Sequence, residues 1–360
     1  NNISKLIKEF YLKRPQLHIS LGWIDTKEDK VKVRIFDGQH KAAAQILLGV
    51  KNIPVRIFVN PDLDVLLATN TNAGTVLRQV AFDKSVQRHL GNSLYLDRVT
   101  QYKRDHNLRE EDFNFSEKDL VQYFRGESRE MKRYILDSVR DSITHNPENK
   151  LKDYIDFGGR GKEKPLSYST IEKTFYSFFI YQEALEKPIN YKLEEEENPR
   201  ELEKEQILRL MNIIAEEIFI RKYDPEIGTY QIENKIQNGE NIPGPHLIAY
   251  RMAKEEILYN WLRYIEQIIK NYFIIQGQPV DEEKLFQYKF SESLWERIET
   301  FIRNLRNLPI WQNNGLSNTI FGGKQNYQFW QTIFETGKTP HGVQVLANPL
   351  NLMDMIKDDF

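Results

Sequence analysis

The pentapeptide Asp37-Gly38-Gln39-His40-Lys41 holds the densest chemistry in the chain. It follows Val31–Phe36, where Val31, Val33 and Ile35 alternate with Lys32, Arg34 and Phe36 in the period of a strand, and it leads into the Ala- and Leu-rich stretch Gln39–Leu48. The box therefore lies where a strand hands over to a helix. A helix start leaves backbone N–H groups unpaired and carries the positive end of the macrodipole, so it attracts an anion, and Gly38 lets a phosphate approach the backbone closely. Gln39 and His40 add neutral donors and Lys41 adds a charge. Asp37 has three roles open to it: helix cap, metal ligand, or acceptor from a ribose hydroxyl. The plainer alternative is that Asp37 only caps and His40 is a solvated surface group.

Two further clusters carry chemistry. In Thr69-Asn70-Thr71-Asn72-Ala73-Gly74-Thr75, Asn70 and Asn72 suit the orientation of a nucleotide or a water, and Arg78, one turn into the next helix, suits a phosphate. The same segment also reads as a loop capped at Thr75. Arg160, Lys162 and Lys164, in the Gly-rich stretch Phe157–Pro165, precede Ser167–Glu172, whose hydroxyls and acid suit a capped helix start. That arrangement can grip DNA phosphates or a displaced base, or it is an ordinary surface loop. Other schemes are poorly served. The chain has no cysteine, so thiolate nucleophiles, disulfides and Cys-ligated metals are excluded. Its seven histidines show no zinc-hydrolase spacing, and there is neither a Walker box nor a nucleophile elbow. Adjacent acid–Lys pairs such as Glu117-Lys118 arise by chance in a chain this charged and do not establish a nuclease centre.

The elements that must position these residues follow from periodicity. With 360 residues and 40% hydrophobic content the chain can bury a core, in one to three domains. Strands are expected over Leu17–Ile24, Val31–Phe36 and Ile53–Val59, the last closed by Asn60-Pro61, with Thr26–Lys30 as a charged turn and Gly49 as a left-handed helix terminator. Strand, helix and strand in about 30 residues predict a right-handed crossover whose two strands run parallel. From Ala73 onward the pattern is helical: one helix ending at Gly91, an amphipathic stretch from Leu120 through Val139, and three strict 3.6-period faces, Ile207–Ile218, Ile257–Ile268 and Leu294–Leu305. These faces read as core. Phe157–Pro165 and the acidic Glu186–Glu205 read as boundaries, giving an α/β domain over 1–75, a helical region over 76–185 and a helical domain over 186–360. The stretch from Trp311 to Phe360 has no sustained period. The fold class expected is α+β.

Residues 1–110 carry 18 Lys and Arg against 11 Asp and Glu, whereas the rest carry 32 against 41, so the basic end is the better home for a phosphate ligand. No apolar run approaches 18 residues, which with the lack of cysteine leads us to expect a soluble, cytoplasmic protein outside the membrane. The opening Asn1-Asn2-Ile3, without an initiator Met, leads us to expect a fragment of a longer chain.

Asp37-Gly38-Gln39-His40-Lys41, followed by Ala42-Ala43-Ala44, an apolar helix, Gly49 and the strand Ile53-Pro54-Val55, resembles the DGQHR-motif branch of the ParB/sulfiredoxin-like superfamily over roughly residues 15–90. The resemblance implies a small ParB/sulfiredoxin-like α/β domain ahead of a larger, mostly helical region. It implies that Gly38, Gln39, His40 and Lys41 contact a nucleoside triphosphate, that Asn70, Asn72 and Arg78 face the box, and that Asp37 and His40 are the catalytic pair, with Asp37 holding Mg²⁺. DGQHR proteins belong to prokaryotic DNA modification and restriction systems, as DndB-like regulators and SspE-like effectors, which implies DNA as partner and Arg160, Lys162 and Lys164 as phosphate contacts. NTP occupancy or slow hydrolysis would then change how the helical region packs and regulate DNA binding. A ParB-like nuclease using the same box, and a DNA-binding regulator without nucleotide chemistry, are the alternatives; homo-oligomerisation and a fused or partnered effector module stay open. Lys41 departs from the usual Arg, keeping the charge but losing the planar fork. The missing cysteine excludes the sulfiredoxin reaction.

Overall fold

The computed structural model describes residues 19–26, 32–61, 76–157, 163–191, 198–323 and 325–358. It is a mixed α and β fold with two compact units, 1–80 and 81–360.

The first unit is built on three strands, β1 (Ser20–Ile24), β2 (Arg34–Asp37) and β3 (Val55–Val59), with helix α1 (Gln39–Leu47) between the second and third. The strands lie in the order β2-β1-β3. β1 pairs antiparallel with β2, with Leu21 opposite Asp37, and parallel with β3, from Ser20 opposite Val55 to Ile24 opposite Val59. The expected parallel crossover is therefore corrected: β2 and β3 occupy opposite edges and run antiparallel to each other. At 1.5 Å per residue the nine residues of α1 reach about 13 Å, enough to pass over the central strand between edges about 9.5 Å apart. Ala42 and Ala44 are buried, and α1 packs on β1. As expected, Gly49 (φ 73°) ends α1, with Gly49 N donating to Ile46 O and Val50 N to Gln45 O. Asn60 closes β3, its backbone N–H donating to Ile24 O and its side-chain oxygen accepting from Thr26 N at 2.8 Å.

The second unit is helical. Helix α2 spans Val76–Asp105 and does not stop at Gly91. A Cβ at Gly91 would stand 2.6 Å from Asp137 Oδ2 and 2.9 Å from Asp137 Cβ, so this glycine allows α2 to press against a neighbour rather than ending the helix. That neighbour is α4 (Ser128–Thr144), reached from α3 (Glu117–Tyr123) through a short 3-10 turn at Arg125–Glu127, which divides the expected single stretch in two. A two-residue parallel bridge, β4 (Ile155–Asp156) with β5 (Leu166–Ser167), flanks the Gly-rich segment. Helix α5 (Tyr168–Ile171) passes through a π-turn, Glu172–Tyr176, into α6 (Ser177–Phe179). Then follow α7 (Pro199–Ile214), α8 (Ile232–Gln237), α9 (Gly244–Met252), α10 (Glu255–Ile275), α11 (Glu292–Arg306), α12 (Tyr327–Thr336) and α13 (Leu352–Met355).

The three strict faces behave as core. Ile207, Leu210, Met211, Ile214 and Ile218 are buried, as are Ile257, Trp261, Ile265 and Ile268, and Leu294, Ile298, Phe301, Ile302 and Leu305. One hydrophobic cluster runs from Val139 to Met355 and so crosses position 185/186. It includes Trp311 and Trp330, in the stretch whose periodicity assigns no element. No helix among the described residues is long and apolar enough to cross a membrane.

Candidate functional site

The box begins where the β1–β2 pairing ends. Asp37 is the last residue of β2 and is exposed. Gly38 follows in the left-handed region, φ 76° and ψ 19°, as the N-cap of α1. An L side chain there costs about 1–2 kcal/mol, and a Cβ would also stand 2.7 Å from Ser20 Oγ across the sheet. Glycine is required on both counts. Its carbonyl accepts from Ala42 N at 2.9 Å and closes the first turn.

Gly38, the N-cap of α1, has no side chain to accept from the first amides, and no acidic residue lies in the first turn. Asp37 therefore does not serve as the cap. The N–H groups of the first turn, which begins at Gln39, sit at the positive end of the helix, the end that attracts an oxyanion. Around this start, His40 is exposed and Lys41 half-buried. Gln39 folds back, its Nε2 donating to Ile35 O at 3.0 Å, so its side-chain donor serves the strand and its backbone N–H serves the turn. Ser20 is the residue that sequence reasoning missed. It lies 18 positions before Gly38, and only the strand pairing brings the two together.

Of the other candidates, Asn70, Asn72 and Thr75 lie outside the described residues, and Arg78 is described only as backbone within α2. Arg160 and Lys162 also lie outside the described residues. Lys164 lines a cavity of about 190 Å³ with Asp156, Ser167, Thr170 and Tyr250. Ser167 caps α5 as expected, its Oγ accepting from Thr170 N at 3.1 Å. Tyr250, Lys254 and Glu255 are shared with a neighbouring cavity of about 430 Å³. There Lys254 Nζ donates to Phe321 O, and burial pushes its pKa down.

A metal would rely on Asp37. Among the described residues no group of three or more His, Asp and Glu side chains is placed to hold an ion. One exposed carboxylate beside a phosphate cradle nevertheless suits Mg²⁺, which commonly takes one or two carboxylates and completes its shell with substrate phosphates and waters.

Two buried arginines, absent from any sequence expectation, anchor the helical unit. Arg200 Nε and Nη2 donate to Glu117 at 3.0 Å each, Nη1 donates to Glu203 at 2.5 Å, and the remaining donors reach the carbonyls of Tyr181 and Glu183. Arg251 donates to Glu233 at 3.0 and 2.7 Å, to Ser317 Oγ, and to the carbonyls of Trp311 and Asn313. In each, all five guanidinium N–H groups are used.

No protein-family model matches the chain, and no curated protein or solved structure does so.

Proposed function

We propose that the chain is a nucleotide-binding protein of the DGQHR-motif branch of the ParB/sulfiredoxin-like superfamily that acts on DNA in a prokaryotic modification, restriction or defence system. The observation that carries this reading is the start of α1 at left-handed Gly38, an N-cap with no side chain to spend on the first turn. A terminal phosphate of a nucleoside triphosphate seats on the amides of that turn, Lys41 supplies charge, and His40 stands exposed beside it as a neutral donor or proton carrier. Asp37, which has no capping duty, would hold Mg²⁺ together with the phosphate oxygens; the ion supplies charge neutralisation on the phosphates when bound. Occupancy of the turn regulates affinity for DNA by mass action. Arg160, Lys162 and Lys164 contact DNA phosphates in the same reading.

The test is thermal melting with and without ATP, GTP and Mg²⁺. Nucleotide raises Tm of the wild type, and the double variant His40→Ala/Lys41→Ala loses the rise. An equal rise in the double variant would remove the box from the site. Metal-dependent plasmid nicking without any nucleotide response would favour a nuclease instead.

A further inference from the structure

Glu256 lies in the first turn of α10 with 6% of its surface exposed. The acids beside it are engaged: Glu255 accepts from Lys173 and from the hydroxyls of Tyr327 and Thr170, and Glu233 is held by Arg251. The Glu256 carboxylate makes no hydrogen bond or ion pair with any described residue, and it lines the cavity of about 430 Å³. Burial penalises a carboxylate that has no donor. Its oxygens are not among the partnerless atoms sealed from solvent, so the space before them is the cavity. Donors line the same walls. Tyr250 Oη makes no hydrogen bond among the described residues, and burial pushes its phenol pKa up, so it is a donor at neutral pH. Lys254 gives one proton to Phe321 O, pairs with no carboxylate among the described residues, and keeps donors to spare. Beyond these two shared residues, in the cavity of about 190 Å³, Lys164 has neither hydrogen bond nor ion pair.

The unspent groups define a complement. A free carboxylate calls for N–H donors, Tyr250 and Lys254 call for an acceptor oxygen next to them, and Lys164 calls for an anion at the far end. Guanine is the base whose Watson–Crick edge sets two N–H donors beside a carbonyl oxygen, and two donors match the two oxygens of a carboxylate. We infer that these neighbouring cavities bind a guanine base carrying a phosphate: N1–H and N2–H donate to Glu256, O6 accepts from Lys254 or Tyr250, and the phosphate meets Lys164. The larger cavity falls in the size range of ligand sites, and Ile232 and Tyr250 give the base apolar surface. Asp156, in the smaller cavity, is an acceptor for a ribose hydroxyl. Every one of these residues belongs to the helical unit, so the site does not rest on the box. A free nucleotide and a base displaced from a strand present the same chemistry here.

The experiment is titration calorimetry with GMP, IMP and AMP on the full chain carrying His40→Ala/Lys41→Ala, which keeps the box out of the measurement. GMP is expected to bind, and IMP, which lacks the N2 amino group, to bind about tenfold more weakly, the factor that one hydrogen bond to a charged group supplies. AMP, with no N1–H, should bind weakest. Glu256→Gln in the same background should move the preference from GMP toward AMP, because an amide donates as well as accepts. Lys164→Ala should weaken GMP and AMP alike and leave their ratio unchanged. A single-stranded oligonucleotide with one dG that binds more tightly than GMP identifies a displaced base as the source, and one that binds more weakly identifies the free nucleotide. Equal affinity for GMP, IMP and AMP overturns the assignment, as does no binding of GMP, and neither result needs a change at Glu256. A GMP-to-AMP ratio untouched in a folded Glu256→Gln variant overturns it too. The box is read by its own melting test and stands or falls apart from this one.

Discussion

The N-terminal sheet unit and the helical unit differ in what holds their interiors together. In the helical unit two buried guanidinium groups are fully satisfied: Arg251, 0% exposed, and Arg200 each place every donor on a carboxylate, hydroxyl or carbonyl oxygen. The sheet unit has no such buried ion-pair network among its described residues; Ser20 Oγ is buried without a partner there, and Ile46, Leu47 and Val59 are largely exposed. Buried polar groups that are satisfied specify and hold a structure, whereas unsatisfied ones cost stability unless something else uses them. The buried ion-pair networks hold the helical unit, while the ligand chemistry proposed for the box lies in the sheet unit.

The largest effects should come from breaking the helical side of this comparison. Arg200→Met strands the carboxylates of Glu117 and Glu203 in the interior, and Arg251→Met strands Glu233. Each change should cost about 3–5 kcal/mol, the usual penalty for removing one partner of a buried pair. Urea denaturation of the two variants measures it. A loss below about 1 kcal/mol, the range of surface pairs, would mean that the guanidinium groups are not closed in by the core.

Gly38→Ala tests the other side. The left-handed backbone costs about 1–2 kcal/mol for an L residue, and the clash with Ser20 adds about 1–3 kcal/mol of overpacking. The nucleotide-induced rise in Tm should vanish. In the combined variant Gly38→Ala/Ser20→Gly the clash is relieved and only the backbone cost remains, so part of the lost stability should return. No recovery would show that the two residues do not press on each other.

Much of the helical unit was legible because burial at a 3.6 period leaves its trace in residue type: Ile257, Trp261, Ile265 and Ile268 needed no structure to be read as a core face. The box was legible because its five residues are contiguous and the change of period falls on them. Strand order was not legible. Alternation reports which residues face inward and is silent on which strand lies between the other two, so the place of β1 in the centre was hidden. Ser20 was hidden for the same reason, being a neighbour of Gly38 only through that order. Gly91 misled because a glycine after an apolar helix looks like a terminator, whereas its actual reason, the approach of Asp137, is tertiary. Arg200 and Arg251 look in sequence like any surface arginine, since their value depends on carboxylates 83 and 18 positions away.

A smaller effect should follow from acid. His246 is buried and fixed as the neutral tautomer: its Nδ1 accepts from Asp224 N at 3.0 Å and its Nε2 donates to Gly228 O at 2.9 Å, while its ring stacks on Tyr223. A proton on Nδ1 would set two donors against each other. Burial is the first cause pushing its pKa below the ordinary 6.5; Lys235 also lowers it, and Gly228 O and Asp224 oppose the shift. The unfolded chain therefore binds the proton more readily than the folded one. The contribution of His246 is complete above pH 6.5 and is lost progressively as pH falls from there toward the depressed folded value. Urea midpoints at pH 7.5 and pH 5 should differ in wild type and differ less in His246→Gln, whose amide can still donate and accept. Equal pH dependence in both would place the acid sensitivity elsewhere.

The smallest effect, and the one that most sharpens the comparison, concerns DNA. If the helical unit is scaffold alone, nothing in it should respond to salt in a DNA titration. If Arg160, Lys162 and Lys164 neutralise phosphates, the log–log slope of affinity against salt carries roughly 0.9 per phosphate contacted. Replacing all three by Ala should then flatten the slope by up to about three units, and Lys164→Ala alone by about one, with every duplex weakened alike because phosphate contacts carry no base information. Lys164 is the informative single change: it lines the cavity beside Ser167 and Tyr250, so a role in reading a displaced base would instead appear as lost preference among substrates at an unchanged slope. Equal slopes and equal preferences in wild type and both variants would leave the Gly-rich segment as a connector and confine function to the sheet unit.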